Sequence, residues 1–194
     1  GQVNVDLVSL MQAHGVNAFG CHGASGKLIQ ANKRPPIKVS GGGSEPIDFG
    51  EVGDVTLINT ELLHSLLSAD LVPVIASLGI NANGDVFNIN ADTTVVQIAR
   101  QMSAELLVFV TSIGGIFQDI KDPASRFTEL DETTARRYIN SGIIVEGMIP
   151  KVEEALSLLT SGVGTVAIVD TRDPSAFTSI AKGNVDYGTL IRER

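Results

Sequence analysis

Apolar positions along the chain switch between helical and strand spacing, and the switches predict its elements. Val3, Leu7, Leu10 and Met11 share one face of a helix that Gly15 can close. VNAFGC follows as a short strand. From Lys27 to Asp48 the run KLIQANKRPPIKVSGGGSEPID is strand-like but broken by Pro35, Pro36 and glycines, which predicts a projecting β-hairpin or flap. INTELLHSLLS reads as a helix, and LVPVIASLGI, almost wholly apolar, as a buried parallel strand. Asn83-Gly84 is a tight-turn signal that folds GINANGDVFNI into a small hairpin. The helix after it buries Val95, Ile98, Ala99 and Met102, spaced i, i+3, i+4, i+7.

In the second half, AELLVFVT predicts a buried strand ending at Gly114-Gly115. DETTARRYINSG predicts a helix with Asp131 at its N-cap and Gly142 near its end. A further helix starts at Pro150 and buries Val152, Ala155, Leu156 and Leu159, and GTVAIVD and DYGTLI read as strands. Strands alternating with helices place the chain in the α/β class, around a mostly parallel sheet.

Composition narrows the function. The 194 residues are 43% hydrophobic and 19% charged, enough to bury the core of one large domain or two small ones. A net charge of −8 lacks the basic footprint of a nucleic-acid binder, so no nucleic-acid partner is expected. One cysteine, Cys21, allows no internal disulfide, and His14, His22 and His64 fall in no metal-binding spacing. There is no apolar run of 18 residues and no signal peptide, so no membrane partner is expected. The expected compartment is the cytoplasm, or an organellar stroma after removal of a transit peptide. The first residue, Gly1, leads straight into a helical pattern, as an internal start would.

Ligands of open α/β sheets sit at the carboxyl ends of the strands, and candidate chemistry gathers there. Asn88, Asn90 and Asp92 alternate where an apolar strand passes into a helix, and residues two apart on an extended chain point to one side. Helix capping accounts for one of them. The other reading turns two amides and a carboxylate toward a common ligand. In EGMIPKVEEAL, Pro150 suits a first helical turn and puts Lys151 at the helix N-terminus. The helix dipole disfavours a cation there by roughly 0.3–1 kcal/mol. An anion shared between the ammonium and free N–H groups resolves that conflict; a solvated lysine is the alternative. TSIGGIF leaves its strand on glycines, either for close approach of a ligand or for packing. GGGS at Gly41 to Ser44 reads as a flap tip, since no helix follows it.

Together GEVGDV, VPVIASLGI, NINAD, TSIGGIF, GMIPKV and YGTLI resemble, in order, the acetylglutamate kinase branch of the amino-acid kinase family. The resemblance implies a three-layer αβα sandwich. Residues 1–101 would form the remainder of the acetylglutamate-binding lobe, with its flap at about 26–50, and residues 102–194 the nucleotide-binding lobe. It implies transfer of the γ-phosphoryl of ATP to the γ-carboxylate of N-acetyl-L-glutamate, giving N-acetylglutamyl 5-phosphate in arginine biosynthesis. Asn88 and Asn90 would then bind the amino-acid substrate. Asp92 would organise the catalytic lysines, and Lys151 would neutralise charge on the transferring group. Ser112, Ile113, Gly114, Gly115, Ile116 and Phe117, with Ile143, Ile144, Val145, Gly147 and Met148, would line the nucleotide. Mg²⁺ would be held mainly by the phosphates, with no metal site on the protein. The resemblance further implies a homodimer or a hexamer of dimers in the full-length protein, with arginine or a PII protein as a candidate regulator.

The chain departs from the family in three ways. Ser112 stands where an acidic residue is usual, and GCHGASG replaces a more acidic glycine-rich pattern. The opening strand with its lysine–glycine loop, the second glycine loop and a substrate-binding arginine find no counterpart. The chain is therefore expected to begin well inside the family's length and to lack part of the catalytic machinery. Two other functions fit the same residues. One is a kinase of a related acid such as acetylaminoadipate; the other is a non-catalytic regulatory module that binds nucleotide or arginine.

Overall fold

The computed structural model describes residues 1–38, 45–145, 148–170, 175–184 and 188–192, with Lys151 described in its backbone alone. The chain divides into two compact units, Gly1–Gln101 and Met102–Arg194.

The first unit opens with α1 (Gln2–Ala13), β1 (Ala18–His22), β2 (Ile29–Lys33), β3 (Gly53–Ile58) and α2 (Thr60–Ser68). It continues with β4 (Val72–Ala76), β5 (Leu78–Ile80), β6 (Val86–Asn88) and α3 (Ala91–Gln101). Helix α1 ends as expected, with Gly15 at φ 81°. Its apolar stripe, however, faces outward: Val3 is 82% exposed and Leu10 58%. The side against β1 and β4 is carried instead by Asn4 and Val8, which close over Gly20, while the Asn4 amide donates to the Val74 carbonyl at 2.9 Å. The absence of a side chain at Gly20 thus decides which helix face meets the strands.

LVPVIASLGI is a second departure. It breaks at Ser77 into β4, parallel to β1 and half-buried, and β5, which pairs with β2 and β6. Glycines fix the break. A Cβ on Gly23 would overlap the Leu78 carbonyl oxygen, and one on Gly79 would overlap Ala31 and Ile89. Strands β3, β2, β5 and β6 lie side by side in that order, and a parallel bridge from Val52 to Asn88 ties the outer two together. The flap extends from the β2–β3 hairpin through an Ile37–Ile47 bridge and is laced by Arg34–Asp54 and Lys33–Asp48 ion pairs. Its Gly41 to Ser44 tip lies outside the described residues. Helix α3 buries Val96, Ala99 and Thr94, with Val95 and Ile98 half-buried.

The second unit contains β7 (Leu106–Thr111), β8 (Ile116–Phe117), β9 (Arg126–Phe127), β10 (Glu129–Leu130) and α4 (Glu132–Asn140). It is completed by α5 (Ile149–Leu159), β11 (Thr165–Asp170), α6 (Ser175–Ala181) and β12 (Gly188–Arg192). The sheet order is β10-β12-β11-β7, with β11 parallel to β7 and antiparallel to β12. Val166 to Val169 of β11 are fully buried, and Ala167, Val169, Ile180 and Leu190 pack as one cluster with Val108. Helix α5 buries Val152, Ala155, Leu156 and Leu159, the stripe read from the sequence. Asp131 caps α4, its carboxylate accepting from the Thr134 N–H at 2.7 Å. The α/β class is borne out, with hairpins adding antiparallel pairs to the parallel ones. Among the described residues no helix is long and apolar enough to cross a membrane.

Candidate functional site

In the first unit the strand-to-helix junction builds one cluster. Asn88 and Asn90 are exposed and alternate with Phe87 and Ile89, each 2% exposed, so the two amides share a side of the chain. Asp92 is exposed in the first turn of α3. Asn90 is the capping residue of the three: its Oδ1 accepts from the Thr93 N–H at 3.0 Å, while its carbonyl accepts from Thr94 N and Oγ1. That leaves the Asn90 amide nitrogen and the Asn88 side chain for other work. The Asn88 backbone is clamped, since its N–H donates to the Glu51 carbonyl at 2.8 Å on the return arm of the flap. Nearer the flap's end, the Gly50 N–H and then Lys33 hold the Asp48 carboxyl below the usual carboxylate range. In β1, burial pushes the Cys21 thiol up.

In the second unit the exit of β7 is bent by two glycines. Gly114 takes φ 73° and donates its N–H to Thr111 Oγ1, and a Cβ there would overlap Asp170. Gly115, at φ 151°, would bring a Cβ within 3.0 Å of Arg126 and 3.1 Å of Thr189. Packing is therefore sufficient reason for both glycines. Thr189 is fully buried and staples the exit: its Oγ1 accepts from Ile116 N–H at 2.9 Å and donates to the Phe127 carbonyl at 2.6 Å.

Above this staple lies a cavity of about 170 Å³, lined by Ile113, Phe117, Gln118, Asp119, Ile120, Val145 and Met148. Four residues read as nucleotide-lining from the sequence therefore meet here: Ile113, Phe117, Val145 and Met148. Gly114, Gly115, Ile116 and Ile144 are buried, Ile143 is half-buried and Ser112 is exposed, none of them lining the cavity. Gly147 lies outside the described residues, as does the side chain of Lys151, whose backbone falls in the first turn of α5. Gln118, Asp119 and Ile120 were not anticipated. They belong to a turn set by Ser125, whose hydroxyl lies 2.8 Å from the Asp119 carbonyl and 2.7 Å from that of Asp122. The Asp-Pro at 122–123 signalled that turn, but not what it would face. Among the described residues no three histidine, cysteine or acidic side chains form a metal cluster.

The model of the amino acid kinase family matches residues 1–170. The chain belongs to the amino acid kinase family. Within that family it is 46% identical over 169 residues to the acetylglutamate kinase of Anaeromyxobacter sp. (strain Fw109-5), covering 87% of this chain and 62% of that enzyme. With the acetylglutamate kinase of Anaeromyxobacter dehalogenans (strain 2CP-C) it shares 41% identity over 191 residues, 98% of this chain and 71% of that enzyme. Among solved structures, smu.665 from Streptococcus mutans UA159 superposes with a TM-score of 0.67 at 26% identity, covering 98% of this chain and 69% of that one. The chain thus spans between three-fifths and three-quarters of the length of each of these three proteins.

Proposed function

We propose that this chain is the greater part of an acetylglutamate kinase, a phosphotransferase with a carboxyl group as acceptor. The observation that carries the reading is its 41% identity to a named acetylglutamate kinase over 98% of its length. The mostly apolar cavity of the second unit supports the nucleotide half of the reading, since Ile113, Phe117, Val145 and Met148 offer apolar contacts to a base. Magnesium ATP supplies the transferable phosphoryl group, with the metal on its phosphates. Asn88 and Asn90 present amide donors to the acceptor's carboxylate and acetyl groups. Asp92 holds ammonium groups in place, and Lys151 sets a positive charge beside the group in transfer. This is catalysis by positioning and charge, as phosphoryl transfer requires. The same reading carries a homo-oligomeric assembly, with arginine or a PII protein as candidate regulators.

The test is ADP formation with magnesium ATP, with and without N-acetylglutamate, by the 194-residue chain joined to the family's opening lysine–glycine loops. Formation that depends on N-acetylglutamate, faster than with acetylaminoadipate, is the expected result. Lys151→Ala should lower that rate on the order of a hundredfold or more, as loss of a transition-state charge partner does. Unchanged turnover would remove Lys151 from the mechanism. ATP binding without any acceptor-dependent turnover would overturn the kinase reading of this chain in favour of a nucleotide-binding module.

A further inference from the structure

The cavity of the second unit has two walls of different origin. One is the turn end of the β8–β9 hairpin, Phe117 to Ile120. The other is the junction of α4 and α5, which supplies Val145 and Met148. Each wall is braced from within. The hairpin is stapled at its base by Thr189 and shaped at its turn by Ser125. In the junction, the Tyr138 carbonyl accepts from both Ile143 N–H at 2.9 Å and Ile144 N–H at 3.1 Å, and the Val145 carbonyl from Met148 N–H at 2.9 Å. The walls are joined by a pair of rings. Phe127, paired with Ile116 in the hairpin, stacks on Tyr138 of α4 with centroids 4.7 Å apart and planes at 26°. The Arg137 guanidinium carbon sits 5.2 Å from the Tyr138 ring centroid.

We propose that the Phe127–Tyr138 stack sets the spacing of the two cavity walls and that Tyr138 is thereby a positioning residue for the nucleobase; this rests on the nucleotide reading above. Tyr138 is suited to the role because one residue acts on both walls: its carbonyl fixes the turn that leads to Val145, and its ring fixes that turn to the hairpin. A planar base between apolar walls depends on their separation to within fractions of an ångström, because dispersion contacts fall off steeply across a gap. The phosphates do not. Loss of the stack should therefore weaken binding of the base and leave phosphate binding alone.

The experiment compares ATP with inorganic tripolyphosphate as calorimetric ligands of the full chain and of its Tyr138→Phe, Tyr138→Leu, Phe127→Leu and double-leucine variants. The unaltered chain should hold ATP more tightly than tripolyphosphate. Each single leucine variant should weaken ATP on the order of tenfold, the scale of one aromatic pair, with tripolyphosphate unmoved. The double variant should fall no further than the singles, since both remove one contact. Tyr138→Phe, which keeps the ring, should match the unaltered chain and guards against a folding artefact. Equal weakening of both ligands, or of neither, would overturn the positioning role. Equal affinity of the unaltered chain for ATP and tripolyphosphate would sink the nucleobase reading of the cavity itself.

Discussion

Thr189 shows how much of the second unit hangs on one hydroxyl. It satisfies a buried N–H of β8 and a carbonyl of β9 from a strand at the far end of the sequence. Thr189→Val keeps the shape and strands the Ile116 N–H, which should cost about 1–3 kcal/mol. A calorimetric melt should show this as a fall in Tm of several degrees. An unchanged Tm would mean that water takes over both bonds. In the sequence Thr189 is one polar letter inside YGTLI, and no neighbour points to its partners. Local roles were easier to read. Asp131 was legible as a cap because its Thr134 partner lies three residues on, and capping by one of Asn88, Asn90 and Asp92 was expected, though not that it would be Asn90.

At the scale of elements, periodicity identified the long helices and located the core face of α5, where a wide apolar stripe has one buried side to meet. It did not locate the face of α1. Spacing tells which residues share a side; whether that side meets a strand was decided by Gly20, which admits Asn4. For the same reason LVPVIASLGI could not reveal its break, because the clashes that forbid side chains at Gly23 and Gly79 are tertiary. Strands β8 and β9, of two residues each, and the seven-residue α6 are too short for any period to register. The flap carries a pH-dependent contact. Asp48 titrates below the usual carboxylate range because it accepts from Gly50 and pairs with Lys33. A lowered carboxyl pKa contributes to the fold above its unfolded value, and the contribution disappears as pH falls through the folded one. The Gly50 amide resonance should therefore titrate with a midpoint below that of an ordinary aspartate; a midpoint at the ordinary value would show the contact to be absent in solution.

For the molecule as a whole, the net charge of −8 and the sequence pI near 4.8 set its colloidal behaviour. Self-repulsion opposes non-specific association at neutral pH, where α1 turns apolar residues outward, and that repulsion vanishes as the carboxylates protonate. Light scattering across pH should peak close to 4.8 and be minimal near 7; a flat profile would show that the exposed stripe draws no chains together. The two units are also unequal in legibility. The second could be read largely from its own helices and buried strands, whereas the first depends on glycines and on a bridge between distant segments.

If Asn88 binds the acceptor as proposed above, that bridge bears on any effort to redesign it. The Asn88 N–H is held by the Glu51 carbonyl, and Val52 lies in register with Asn88. The flap's return arm and the strand bearing the amides are therefore one mechanical part written in two separate passages of the gene. A flap transplanted from a relative with a longer or shorter return arm would shift this register and carry Asn88 with it. A chimera meant to accept a longer acid must take both passages from the same donor.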